Sequence, residues 1–118
     1  MPILGVGTDI VETERVRELY EREASFADRA FTETELAYAR SKENLFLHLA
    51  ARFAAKEAVA KALGRSFSWK EVELVNNSEG KPEINLYGRA KDAAAGAHVH
   101  VSVSHTRHYA SAVAVVEK

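Results

Sequence analysis

The longest periodic run of apolar positions lies between Asn44 and Gly64. Leu45, Phe46, Leu49, Phe53, Ala60 and Leu63 recur at helical spacing, and alanines fill most of the gaps. Asn44 suits an N-cap and Gly64 the C′ position, so the pattern predicts one helix about 30 Å long. On a wheel of about 100° per residue, Glu57 falls roughly 40° from Phe53, on the edge of the apolar stripe. A carboxylate there is costly to desolvate unless a cation answers it, and Lys61 stands one turn on. On a solvated face such an i,i+4 pair contributes only about 0.2–0.5 kcal/mol. Ala50, Ala54 and Ala58 line the flank beside Glu57 and Lys61, and small side chains there leave room for another backbone or a ligand.

Elsewhere the period is mostly two. Ile3 to Val11 reads as a strand with Leu4, Val6, Thr8 and Ile10 on one face and Gly5, Gly7 and Asp9 on the other. Glycines on the face that carries Asp9 suggest that something approaches this backbone closely. His98 to His105 alternates Val99, Val101 and Val103 with His98, His100, Ser102 and Ser104, which puts His105 in phase with the valines. Tyr109 to Val116 reads as its return strand. Val72 to Val75 and Glu83 to Tyr87 flank a stretch dense in turn residues, Asn76 to Pro82, and form a hairpin with a long loop.

Between these lie shorter helices. Thr13 to about Glu23 turns Val16, Leu19 and Tyr20 inward, and places Arg15, Leu19 and Arg22 on one stripe. Phe26 to Phe31 is a connecting segment with room for a helical turn. Thr32-Glu-Thr-Glu35 is a capping-box pattern opening a helix to about Arg40, Ser41 to Asn44 is a polar break, Arg65 to Ser68 a loop, and Gly88 to Gly96 a short alanine-rich helix or turn. The order strand, helices, hairpin, short helix, hairpin predicts an α+β fold: one domain, residues 1–118, with a mostly antiparallel sheet packed on one long helix and shorter helices.

Composition narrows the function classes. The 118 residues fit one domain of ordinary soluble composition, 47% hydrophobic and 28% charged. A net charge of −1 with no basic run gives no field for nucleic acid or a membrane surface. The absence of cysteine excludes disulfides, thiolate metal sites and cysteine nucleophiles. Neither a transmembrane run nor a signal-peptide pattern is present, so the expected location is the cytoplasm.

Three places carry usable chemistry: Asp9 at a strand end, the Glu57/Lys61 pair, and His105 at another strand end. Two carboxylates without cysteine or paired-histidine spacing suit a hard cation, Mg²⁺ in particular, which takes one or two carboxylates and completes its shell with water and phosphate oxygens. A lysine beside it suits phosphate. Spacing alone does not bring Asp9 to Glu57. The same residues would serve a small Mg²⁺-dependent phosphohydrolase, and in a non-catalytic trimeric interaction module they would be a structural ion pair and a turn residue.

Five blocks resemble a known family: Gly5-Val-Gly-Thr-Asp-Ile-Val-Glu-Thr-Glu-Arg15, Phe31-Thr-Glu-Thr-Glu-Leu36, Arg52-Phe-Ala-Ala-Lys-Glu-Ala-Val-Ala-Lys-Ala-Leu-Gly64, Gly80-Lys-Pro82 and Val101-Ser-Val-Ser-His-Thr106. In this order they are similar to the bacterial holo-(acyl-carrier-protein) synthases, short single-domain 4′-phosphopantetheinyl transferases. The resemblance implies Mg²⁺-dependent transfer of the phosphopantetheine arm of coenzyme A to a serine of apo acyl carrier protein, releasing adenosine 3′,5′-bisphosphate. It implies Asp9 and Glu57 as metal ligands, with Glu57, Lys61 and His105 at the chemistry. Arg52, Lys61, Gly80, Lys81, Pro82 and His105 would surround the coenzyme, and Arg15, Leu19, Arg22 and Phe26 would form the carrier-docking region. It also implies a homotrimer with active sites between protomers. The chain departs from the pattern in a shorter Gly64 to Trp69 loop and in Ser25, where some relatives carry a third basic docking residue.

Overall fold

The computed structural model describes residues 2–118. Strand β1 (Ile3–Glu12) leads into helices α1 (Thr13–Arg22), α2 (Phe26–Ala30), α3 (Glu33–Arg40) and α4 (Leu45–Leu63). A 3-10 turn, Trp69–Glu71, opens the hairpin of β2 (Val72–Asn76) and β3 (Pro82–Leu86), and α5 (Gly88–Ala94) precedes β4 (His98–His105) and β5 (Tyr109–Glu117). The strands form two antiparallel sheets, one ordered β1-β5-β4 and one β2-β3. The predicted α+β class therefore holds, with the single sheet resolved into two.

Helix α4 is the axis of the molecule. It is buried on most sides, with Leu49, Ala51, Ala55, Val59 and Ala62 among its covered residues, and Gly64 ends it in the left-handed conformation at φ 80°. The three-stranded sheet lies against it so closely that glycine is required. A Cβ on Gly5 would sit 1.9 Å from the carbonyl oxygen of Ala62, and one on Gly7 2.0 Å from that of Ala58. The alanines of α4 and the glycines of β1 are thus two halves of one close contact, and Ala110, Ala112 and Ala114 of β5 continue the thin layer, all buried. Asn44 occupies the N-cap position of α4 without a side-chain bond.

The other side of α4 carries a charge pair in the core. Lys56 Nζ lies 2.7 Å from Glu35, and the two side chains are 1% and 0% exposed. Glu35 closes the capping box of α3 by accepting from Thr32 N at 3.0 Å, and it accepts from Leu74 N at 2.9 Å. Lys56 also donates to the carbonyls of Trp69 and Val72. The pair thereby ties α4 to α3, to the 3-10 turn and to β2. Around it Phe26 and Phe31 are fully covered, and burial of such a ring is worth roughly 2–3 kcal/mol.

Among the described residues nothing covers the outer face of the three-stranded sheet. Leu4, Val6 and Ile10 are 57%, 59% and 67% exposed, beside the half-open Val113 of β5. Among the described residues no helix is long and apolar enough to cross a membrane.

Candidate functional site

Two chemically different clusters emerge on opposite flanks of α4. The first is on the β1 side. Because Gly5 and Gly7 press β1 onto the helix, Asp9, two positions on and on the same strand face, arrives beside Glu57 and Lys61. Lys61 Nζ donates to the Thr8 carbonyl at 2.9 Å and to Asp9 Oδ1 at 3.3 Å. The lysine thus answers Asp9, rather than forming the i,i+4 pair with Glu57. Asp9 and Glu57 share the wall of a cavity of about 440 Å³ with Arg15, Phe53, Trp69 and Tyr109.

Glu57 is the less satisfied of the two acids. Burial pushes its carboxyl above the usual glutamate value, and the negative charge of Asp9 adds to the rise; the Trp69 side chain and Lys61 oppose it only in part. Two oxygen-donor acids facing one cavity, with repulsion between them and one lysine on one side, fit a small hard cation. Among the described residues no group of three or more His, Asp or Glu is placed to hold a metal ion. Two carboxylates, with the remaining positions left to water and substrate, would suit Mg²⁺.

The second cluster lies at the N-terminal end of α4, on the β4 side. Arg52 is buried, stacks 4.3 Å from the Tyr38 ring centre and donates to Asn76 Oδ1 at 2.8 Å. Asn76 in turn donates to the Gly80 carbonyl at 3.0 Å, so Arg52 is coupled to the Gly80-Lys81-Pro82 turn. Gly80 takes φ 85°, the left-handed region that favours glycine, while Lys81 N donates to Asn77 Oδ1 at 3.0 Å. His48 and His105 face each other with ring centres 6.5 Å apart. Burial lowers the His48 pKa, and the nearby positive charges of Arg52, His105 and Lys42 lower it further. Arg52, Lys42 and the two histidines gather positive charge here, opposed at Arg52 by the buried Glu35, and the exposed part of the cluster suits an anion.

His105 is exposed, although its phase matches that of the valines, and its ring faces His48 at the start of α4. Tyr38, Lys42 and His48 belong to this cluster, and sequence reasoning passed over them. The signal for His48 was its position four residues before Arg52 on the same helix. Tyr38 and Lys42 gave none, since α3 and the following break meet α4 only through tertiary packing.

The ladder register keeps the clusters apart within one protomer. Asp9 aligns with Ala112 and Val103, whereas His105 aligns with Ala110 and Val11. Asp9 and His105 are therefore two strands and two residues apart, about 10 Å across the sheet and about 7 Å along it, with α4 between. On α1, Arg15 and Arg22 are exposed and line a shallow surface with Leu19, Glu14 and Glu18. Phe26 departs from its expected place in the docking surface. It is 2% exposed, packed against Phe31, Phe53 and Trp69, and supports that region from beneath, as an apolar ring following Ser25 at a helix start is drawn into the core.

Residues 5–114 match the family model of the 4′-phosphopantetheinyl transferase superfamily. The chain belongs to this superfamily. A holo-[acyl-carrier-protein] synthase of Caldanaerobacter subterraneus subsp. tengcongensis is 46% identical over 116 residues, covering 93% of this chain and 91% of the relative. Among solved structures, the holo-[acyl-carrier-protein] synthase of Neisseria meningitidis superposes with a TM-score of 0.86 at 35% identity, covering 99% of this chain and 100% of the other. A holo-(acyl-carrier-protein) synthase of Bacillus anthracis in complex with CoA (3′,5′-ADP) gives 0.84 at 33% identity, covering 98% and 97%. The resemblance read from the five motif blocks is thus borne out at the level of family and fold, and the chain is an enzyme of the transferase type.

Proposed function

We propose that this enzyme transfers the 4′-phosphopantetheine group of coenzyme A to a serine hydroxyl of apo acyl carrier protein, with Mg²⁺, releasing adenosine 3′,5′-bisphosphate. The observation that carries this reading is the meeting of Asp9 and Glu57 on one cavity that Arg15 also lines. Asp9 and Glu57 would hold the cation, which when bound neutralises charge on the pyrophosphate oxygens. Lys61, already turned toward Asp9, adds a positive charge against phosphate.

The serine hydroxyl must lose its proton as its oxygen bonds to the phosphorus that bears the pantetheine arm. Glu57, or a water it holds, takes that proton. The bond from that phosphorus to the bridging oxygen breaks, and its electron pair leaves with adenosine 3′,5′-bisphosphate. His105, across α4 from Asp9, serves the coenzyme instead, with Arg52, Lys81, Gly80 and Pro82 around the phosphates.

The two clusters on opposite flanks of α4 favour a site completed between copies of the chain, the acidic flank of one protomer meeting the basic flank of the next. The uncovered apolar face of the β1-β5-β4 sheet supplies a surface for that assembly, and a homotrimer fits both features. Arg15 and Arg22 beside the acidic pair suit an acidic carrier protein that must deliver its serine there.

Mass spectrometry of an apo carrier protein after incubation with this enzyme, coenzyme A and Mg²⁺ tests the reading. The phosphopantetheine increment appears, and EDTA abolishes it. Consumption of coenzyme A without carrier protein would instead favour a phosphohydrolase.

A further inference from the structure

The 3-10 turn Trp69–Glu71 is only three residues long, yet it is anchored from both sides. From inside, Lys56 Nζ donates to the Trp69 carbonyl at 2.9 Å and to the Val72 carbonyl. From outside, Glu71 accepts from Ser68 N at 2.9 Å and from Arg89 N at 2.6 Å, while Tyr87 N donates to the Glu71 carbonyl at 2.8 Å. The side chain so fixed is that of Trp69, whose ring centre is 5.3 Å from that of Phe53. Trp69 lines the cavity of Asp9, Glu57 and Arg15.

Stability alone does not explain a charged pair at Lys56 and Glu35. Well-packed apolar residues in place of a buried ion pair are often neutral or stabilising. What an apolar replacement lacks is the directed bonds from Lys56 to the two carbonyls. Lys56 lines no part of the cavity; its helical position turns it roughly 100° away from Glu57. The geometry points to Lys56 as a positioning residue: through the backbone of the 3-10 turn it sets the Trp69 indole as the wall of the Asp9–Glu57 cavity, and so governs turnover without touching a reactant. The kinetic part of this inference rests on the transferase reading; the structural part does not.

Trp69 is the single tryptophan of the chain, so its fluorescence reports its placement directly. The test variant is Lys56→Met with Glu35→Gln, which leaves no bare charge in the core and retains an acceptor for Thr32 N, while the bond accepted from Leu74 N is lost. The parent and this variant are compared by emission maximum, acrylamide quenching, thermal melting and steady-state transfer to carrier protein well below the melting temperature. Expected are a red-shifted, more quenchable Trp69, a folded protein, kcat lower by about tenfold or more, and KM for coenzyme A near the parent value. Glu71→Ala loosens the same turn from outside without creating a buried charge; it is expected to shift fluorescence and kcat in the same direction by less, and it decides the matter should the double variant not fold. Quenching equal to the parent's, or a freed Trp69 with parental kcat, overturns the inference. If the parent itself transfers nothing, the transferase reading fails, and fluorescence alone decides whether Lys56 holds Trp69.

Discussion

Lys56 and Lys61 stand five residues apart on one helix, and each meets a carboxylate from another element. Lys56 meets Glu35 at 2.7 Å with both side chains about fully covered; Lys61 meets Asp9 at 3.3 Å, 60% and 18% exposed. In the first pair each charge is matched by further hydrogen bonds: Glu35 accepts from Thr32 N and Leu74 N, and Lys56 donates to two carbonyls. In the second, one more acid, Glu57, crowds the site and is pushed toward holding a proton. A charge network that is complete within the protein holds elements together. One that is left a cation short is arranged for a ligand. The side-chain chemistry is nearly the same in both; the burial and the count of partners differ.

The contrast is sharpest when one member of the closed pair is removed. Lys56→Met alone leaves Glu35 buried without its cation, and the expected loss of stability is about 3–5 kcal/mol, read by urea unfolding. Adding Glu35→Gln removes the bare charge and should restore part of it, the bonds to Leu74 N and the two carbonyls staying lost. A single-variant cost within about 1 kcal/mol would mean that the pair is no staple.

At the open pair the order reverses: function falls and stability does not. Glu57→Gln is expected to lower the transfer rate by about 100-fold or more and to abolish the thermal shift given by Mg²⁺, while the metal-free protein melts at or above the parental temperature. Undiminished transfer with an intact Mg²⁺ shift would remove Glu57 from both roles.

How much of this could be read in the chain depended on whether the cause was local. The span of α4, the Thr32 capping box, the alternation of β4 and the glycine face of β1 follow from period and cap chemistry, and each stands within a residue or so of its expected bounds. The glycines and the alanines of α4 even announced their close approach. Glu35 and Lys56 gave no such sign. Glu35 reads as the last letter of a capping box and Lys56 as an ordinary helix former, and their contact spans 21 residues of chain. The 3-10 turn did carry a local sign, the Ser68-x-x-Glu71 capping pattern, at the end of a segment that reads as a loop; only its anchoring by Lys56 and Arg89 is tertiary. The basic flank was half legible: His105 stood out at a strand end and Arg52 came from the family resemblance, whereas Lys42 and Tyr38 reach it only through the packing of α3.

A smaller effect is expected on the α1 surface that flanks the open pair. Arg15→Glu reverses the charge at the cavity mouth and should raise KM for the carrier protein about tenfold, a change of about 1.4 kcal/mol. KM for coenzyme A and the melting temperature should stay near parental values. Equal damage to both substrates would place Arg15 in the coenzyme site rather than at the docking surface.

The smallest effect is a pH dependence that separates the open pair from the closed one. Glu57 holds its proton more tightly in the folded enzyme than at its usual value of 4.5, first because it is buried and then because Asp9 faces it. A carboxyl with a raised folded pKa binds more protons when folded than when unfolded across the interval between the two values. In the metal-free enzyme this stabilising term is therefore present at and below the usual value and is lost as pH rises through the raised one. Mg²⁺ needs the deprotonated acid, so the thermal shift it produces should grow with pH over that same interval. Melting curves of the parent and Glu57→Gln, each with and without Mg²⁺ across mildly acidic pH, isolate the contribution, because Asp9, Lys61 and Arg15 remain in both. The parent should lose stability relative to the variant as pH rises, and regain it with Mg²⁺. Parallel pH profiles would show that Glu57 is as well satisfied as Glu35, and the distinction between the two pairs would be lost.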